Sequence, residues 1–159
     1  MKGNEKLLTV LNQRLADELT AINQYMVHAE MCNNWGYGKL HNAIQKQAMD
    51  EMHHAEWLIQ RIIFLEGLPA VSKLNSMKIG KSVLEIVKND QEAEIAGLLA
   101  YNAAINLAHE VADEGSVELL TKILKMEEGH VDWAEIQRTQ IAQMGLENYL
   151  TNQAEVAVN

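Results

Sequence analysis

Two Glu-x-x-His doublets, Glu51 with His54 and Glu127 with His130, lie 76 positions apart, and a lone Glu stands 33 positions before each, Glu18 and Glu94. At i and i+3 on a helix, a carboxylate and an imidazole project from neighbouring points of one face and can reach one ion. A single doublet is an ordinary surface pair. Six metal-competent side chains repeated at one offset point instead to a two-metal site inside a helical bundle. Four ionised Glu buried without partners would each cost several kcal/mol even after relaxation. Two divalent ions would balance the four carboxylates and leave, with two neutral His, a neutral centre. Mixed oxygen and nitrogen donors suit Fe(II) or Mn(II), with zinc as a redox-inert surrogate.

The positions around these residues keep helical rhythm. Leu11, Leu15, Glu18, Ile22 and Tyr25 alternate at steps of four and three, as do Leu40, Ile44, Gln47, Glu51, His54, Leu58 and Leu65 in a second stripe. A third runs through Val87, Gln91, Glu94, Leu98, Tyr101, Ile105 and Ala108, and a fourth through Leu120, Ile123, Glu127, His130, Ala134, Gln137 and Ile141. Breaks are expected at Trp35-Gly36-Tyr37-Gly38, at Gly67 and Pro69, and at Asp113 to Ser116. Ser82 with Glu85 fits a capping box at the start of the third helix, Gly145 a C-terminal stop for the fourth, and Leu146 to Leu150 a short fifth helix. Residues level on an antiparallel hairpin are equidistant from its turn. The midpoint of Glu18 and Glu51 is 34.5 and that of Glu94 and Glu127 is 110.5, so each hairpin brings its candidate ligands to one height. The connection from Gly67 to Ser82 is long enough to run the length of a bundle, which would make the second and third helices parallel.

Composition agrees. One Pro, nine Gly and 5% aromatic residues disfavour a sheet protein, and 159 residues at 48% hydrophobic suffice for a single domain spanning 1–159. A net charge of −9 argues against nucleic-acid binding and suits metal cations. Cys32 is the only cysteine, so no intrachain disulfide forms and its expected role is packing. The N-terminus lacks a signal peptide's apolar stretch, and the longest charge-free run, Ile95 to Ala108, is too short to span a membrane. The expectation is a cytoplasmic protein. Tyr25 and Tyr101 echo the same offset of 76 and stand either as hydrogen-bond donors to ligand carboxylates or as core; Trp57 and Trp133 repeat it too, as packing. His28, His41, His53 and His109 lack a repeated partner and are expected at surfaces or interfaces, and the tail from Ala154 to Asn159 is uninformative.

Several local stretches resemble bacterioferritin: Ala21-Ile22-Asn23-Gln24-Tyr25, Asp50-Glu51-Met52-His53-His54-Ala55, Glu127-Glu128-Gly129-His130-Val131-Asp132-Trp133 and Met144-Gly145-Leu146-Glu147-Asn148-Tyr149-Leu150. The resemblance covers essentially the whole chain. It implies an all-α, ferritin-like four-helix bundle with a long crossover between helices two and three and a short fifth helix, assembled as a hollow 24-subunit cage. It implies two iron ions per subunit at Glu18, Glu51, His54, Glu94, Glu127 and His130, ferroxidase activity with dioxygen or peroxide, and ferric mineral stored in the cavity. It also implies haem shared by paired subunits through Met52, and a reductase or ferredoxin that mobilises iron. Met52 follows Glu51 and so points about 100° away from the metal-facing stripe. In the expected division of labour Glu51 and Glu127 bridge, while Glu18 with His54 and Glu94 with His130 each cap one ion. Lys46 departs from bacterioferritins that carry His there, which argues against an inner-surface iron site with Asp50; Asp50 reads as a solvated carboxylate. The same ligand set would serve a di-iron oxygenase or a dimanganese catalase, and a haem electron carrier with a structural bundle metal is a third class.

Overall fold

In the computed structural model, residues 1–155 are described, so positions 156–159 of the expected 1–159 domain, the last four of the tail from Ala154, lie outside them. Four long helices, α1 (Glu5–Asn34), α2 (Gly38–Phe64), α3 (Val83–Glu110) and α4 (Glu114–Met144), precede a short α5 (Leu146–Gln153). Asn4 starts α1 by accepting the amides of Lys6 and Leu7 at 2.9 and 3.2 Å. Ser82 caps α3 through the Glu85 amide, but Glu85 reaches back to the Lys81 amide at 2.7 Å rather than to that of Ser82. α2 stops a turn before Pro69: Glu66, at φ 61°, reverses the chain and the Gly67 amide closes on the Ile62 carbonyl at 2.9 Å. Asp113, expected in a loop, is the α4 cap, because its carboxylate accepts the Ser116 amide at 3.0 Å. The expected stop at Gly145 holds at φ 80°, and α5 runs three residues past Leu150.

α1 pairs antiparallel with α2 and α3 with α4, as the turn midpoints require. Bonds from Tyr25 to Glu94 and from Tyr101 to Glu18 set α1 antiparallel to α3. The inward stripes are as expected, with Leu40, Ile44, Gln47, Glu51, His54, Leu58 and Leu65 all buried. They build two apolar clusters. One end holds Leu7, Leu11, Leu15, Leu58, Ile62, Leu120 and Ile123; the other holds Ala29, Cys32, Leu40, Ile44, Val83, Ile86 and Tyr149. Cys32 is packing, fully buried, and α5 seals that end by sending the Tyr149 hydroxyl to Gln137 at 2.8 Å. Glu18, Glu51, His54, Glu94, Glu127 and His130 lie in the layer between the clusters.

The connection between α2 and α3 follows the groove beside α1. Asn12 binds Ala70, Thr20 the Asn75 amide, Gln24 the Lys78 amide and His28 the Gly80 amide, at 2.7 to 3.0 Å. The anchors from Asn12 to His28 span about 24 Å of helix at 1.5 Å per residue. Asp90 of α3 completes the far anchor, taking Gln24 and His28 Nδ1 at 2.8 Å each. His28 is therefore interior, where a surface or interface position was expected, and so is His41, which bonds the Ala29 carbonyl at 3.0 Å. His53 and His109 are exposed as expected. Replacing His28 with Leu strands a buried carboxylate and the Gly80 amide, and is expected to cost about 3 kcal/mol. Asn12→Ala, at the partly exposed end, should cost about 1 kcal/mol or less. Urea unfolding of metal-free protein checks the order, and equal losses would refute it.

Candidate metal centre

Each Glu-x-x-His doublet lies within one helix, so helical spacing alone sets its two side chains side by side. The antiparallel pairing of α2 with α4 then brings the doublets face to face, with imidazole centroids 6.4 Å apart. His54 Nδ1 lies 2.8 Å from Glu51 Oε2, 2.9 Å from Glu127 Oε1 and 3.5 Å from Glu18 Oε2. His130 Nδ1 lies 3.0 Å from Glu51 Oε1, 3.4 Å from Glu94 Oε1 and 3.6 Å from Glu127 Oε2. Glu51 and Glu127 thus offer one oxygen to each half, the disposition a bridging carboxylate needs. Two overlapping groups result, Glu18, Glu51, His54 and Glu127, and Glu51, Glu94, Glu127 and His130, each with donor atoms within 4.8 Å of one another. All six residues are buried.

These approaches lack hydrogen-bond directionality. Both oxygens of Glu51 and the Nδ1 atoms of His54 and His130 are buried without a hydrogen-bond partner. Buried polar atoms are nearly always satisfied, so these orphans, one Glu51 oxygen and one imidazole nitrogen in each half, fit a cation in each half as the missing partner. Without such ions the cluster holds protons instead. Burial, and then the charge of Glu51, raise Glu18 well above the carboxylate range; burial and Glu127 do the same to Glu94. Burial alone would lower His54, but Glu127, Glu18 and Glu51 overcome it and push the imidazole up to about 11. His130 is raised likewise, against burial, by Glu127, Glu51 and Glu94.

The tyrosine echo resolves into hydrogen bonds that cross between helices. Tyr25 of α1 donates to Glu94 of α3, and Tyr101 of α3 donates to Glu18 of α1; both rings are also core. A cavity of about 250 Å³ reaches the four Glu between α1, α3 and the crossover, walled by Asp17, Asn75 and Gly97. A second, of about 380 Å³, lies on the α2 and α4 side against Lys46, Asp50, Met126 and His130. Asp50 is not simply solvated. Its carboxylate takes Lys46 Nζ at 2.7 Å and meets His130 Nε2 at 3.2 Å, a contact between α2 and α4 that spacing within one helix does not reveal. Met52, in contrast, faces outward and is 47% exposed.

Residues 8–144 match the ferritin-like domain family. The chain is 37% identical to the bacterioferritin of Brucella melitensis over 149 residues, which is 94% of this chain and 92% of that one. This chain belongs to the bacterioferritin family. It is 38% identical to bacterioferritin BfrA of Mycobacterium tuberculosis over 94% of both chains, and 39% identical to the bacterial ferritin of Paramagnetospirillum magnetotacticum over 97% and 95%. No described helix is long and apolar enough to cross a membrane.

Because metal ligands must be deprotonated, ions entering this bacterioferritin-like centre displace protons. The groups held protonated at neutral pH include His54 and His130, so Zn(II) loading should release about two protons or more per metal pair. Apparent affinity should fall as pH drops. Calorimetry in buffers of different ionisation enthalpy measures the count, and zero release would refute protonated imidazoles.

Proposed function

We propose that this protein is a ferroxidase and iron-storage subunit in which Glu18, Glu51, His54, Glu94, Glu127 and His130 hold two Fe(II) as substrate. The observation that carries the reading is the set of orphaned donors in a fully buried layer, with one oxygen of Glu51 and of Glu127 facing each imidazole. Each Fe(II) gives up one electron. Dioxygen takes the pair with two protons and leaves as hydrogen peroxide, or peroxide takes the pair with two protons and gives two waters. The chain's own groups set the geometry: bridging Glu51 and Glu127 tolerate both iron charge states, and Tyr25 and Tyr101 orient the capping Glu94 and Glu18. Apolar clusters above and below close the layer along the bundle axis, which strengthens the charge interactions between them.

The ferric product then passes to the cavity of a 24-subunit cage assembled in the cytoplasm, with the chain folding as one domain over its length. A reductase or ferredoxin returns the electrons when iron is mobilised. Haem belongs to the same reading. Met52 offers an exposed thioether on the outward face of α2, with Met49 one turn earlier also exposed, and a thioether is an accepted axial ligand of haem iron. A two-fold axis would set two Met52 side chains on one haem, which when bound supplies one-electron transfer.

Initial rates of anaerobically loaded Fe(II) oxidation should drop by about 100-fold or more in Glu18→Ala and in Glu94→Ala. Unchanged rapid oxidation in both would sink the assignment. Met52→Leu should lose the thioether-ligated haem spectrum while size-exclusion chromatography still reports a cage; persistence of that spectrum rejects Met52 as the ligand.

A further inference from the structure

The two halves of the centre are related by the 76-residue offset, and that relation fails behind the imidazoles. Past His130, the outer ring nitrogen Nε2 faces the Asp50 carboxylate at 3.2 Å, and Asp50 is in turn fixed by Lys46 Nζ at 2.7 Å. Past His54, the outer nitrogen faces the Met126 thioether at 3.4 Å. Met126 is the repeat counterpart of Asp50, and Lys122 that of Lys46. Lacking a carboxylate to bind, Lys122 lies over the Trp57 ring, 3.4 Å from its centroid. A carboxylate accepting the outer N–H fixes the tautomer and ring orientation and makes the inner nitrogen a better donor, whereas a thioether is a weak acceptor.

We propose that the dinuclear centre is built unequal: the half with Glu94 and His130 binds a divalent ion first and more tightly, and the half with Glu18 and His54 fills second and empties first. Asp50 and Lys46 are positioning residues for the first half, and Met126 is the device that keeps the second half labile. This rests on the dinuclear reading above. The first ion is retained between turnovers, and the second exchanges. Asp50, Lys46 and Met126 all line the cavity on the α2 and α4 side, so the asymmetry is set from one face of the bundle.

Anaerobic titration of the full chain with Co(II) alone, followed by visible absorption and calorimetry, tests this. Wild type should show two classes of one ion per subunit, separated by about 10- to 100-fold in affinity. Glu94→Ala should abolish the tighter class and Glu18→Ala the weaker. Met126→Asp, which restores the repeat, should tighten the weaker class by about 10-fold and bring the two together. Asp50→Leu should weaken the tighter class by a similar factor, with helix content checked by circular dichroism. Two Co(II) binding with one affinity, or Met126→Asp and Asp50→Leu leaving both classes where they were, would overturn the proposal while sparing the dinuclear centre. Failure of wild type to bind two ions would overturn the dinuclear reading and this inference with it.

Discussion

Four carboxylates and two imidazoles in the middle of a helical bundle are an electrostatic problem that the rest of the molecule is arranged around. Removing such groups from water is costly unless they are paired or neutralised. Here the apolar layers are divided into two clusters with the charged layer between them, so the bundle is held from its ends. Without a cation, the neighbouring carboxylates hold protons on the His54 and His130 imidazoles, which offsets part of the negative charge.

The tyrosines tie this layer to the scaffold. Each hydroxyl reaches from one helix of the α1 and α3 pair to the capping Glu of the other, so the two hairpins are cross-linked through the centre itself. Burial and the facing Glu94 and Glu18 carboxylates raise both phenols well above their ordinary range, which keeps them donors. The Glu94 and Glu18 carboxylates are therefore held in place by the tyrosines before any cation is bound. Preorganisation of this kind lowers the cost of gathering buried donor groups around a cation.

Most of the fold was legible because helical periodicity is local. Stripes such as Leu40 to Leu65 name an inward face directly, and turn midpoints place Glu18 level with Glu51 without knowledge of any other helix. The six candidate ligands were legible for the same reason, reinforced by their repetition. What periodicity does not specify is which element lies opposite. The pairing of Tyr25 with Glu94 rather than with its own helix, the interior position of His28 opposite Asp90, and the contact of Asp50 with His130 all depend on tertiary placement. The spacing of Thr20, Gln24 and His28 at four-residue intervals was present in the sequence, but a polar ladder on a helix ordinarily faces water.

That ladder has a further consequence. A bundle with an internal two-fold pattern risks ambiguity, since either hairpin could in principle receive the connecting strap in its groove. Moved by the 76-residue offset, Thr20, Gln24 and His28 become Ala96, Ala100 and Ala104. At these three positions the helix that bears the strap is marked by hydrogen-bonding side chains, and its counterpart presents methyl groups that can offer the strap nothing. The chain repeats itself where chemistry needs a matched pair, and carries a written label where folding needs to tell left from right.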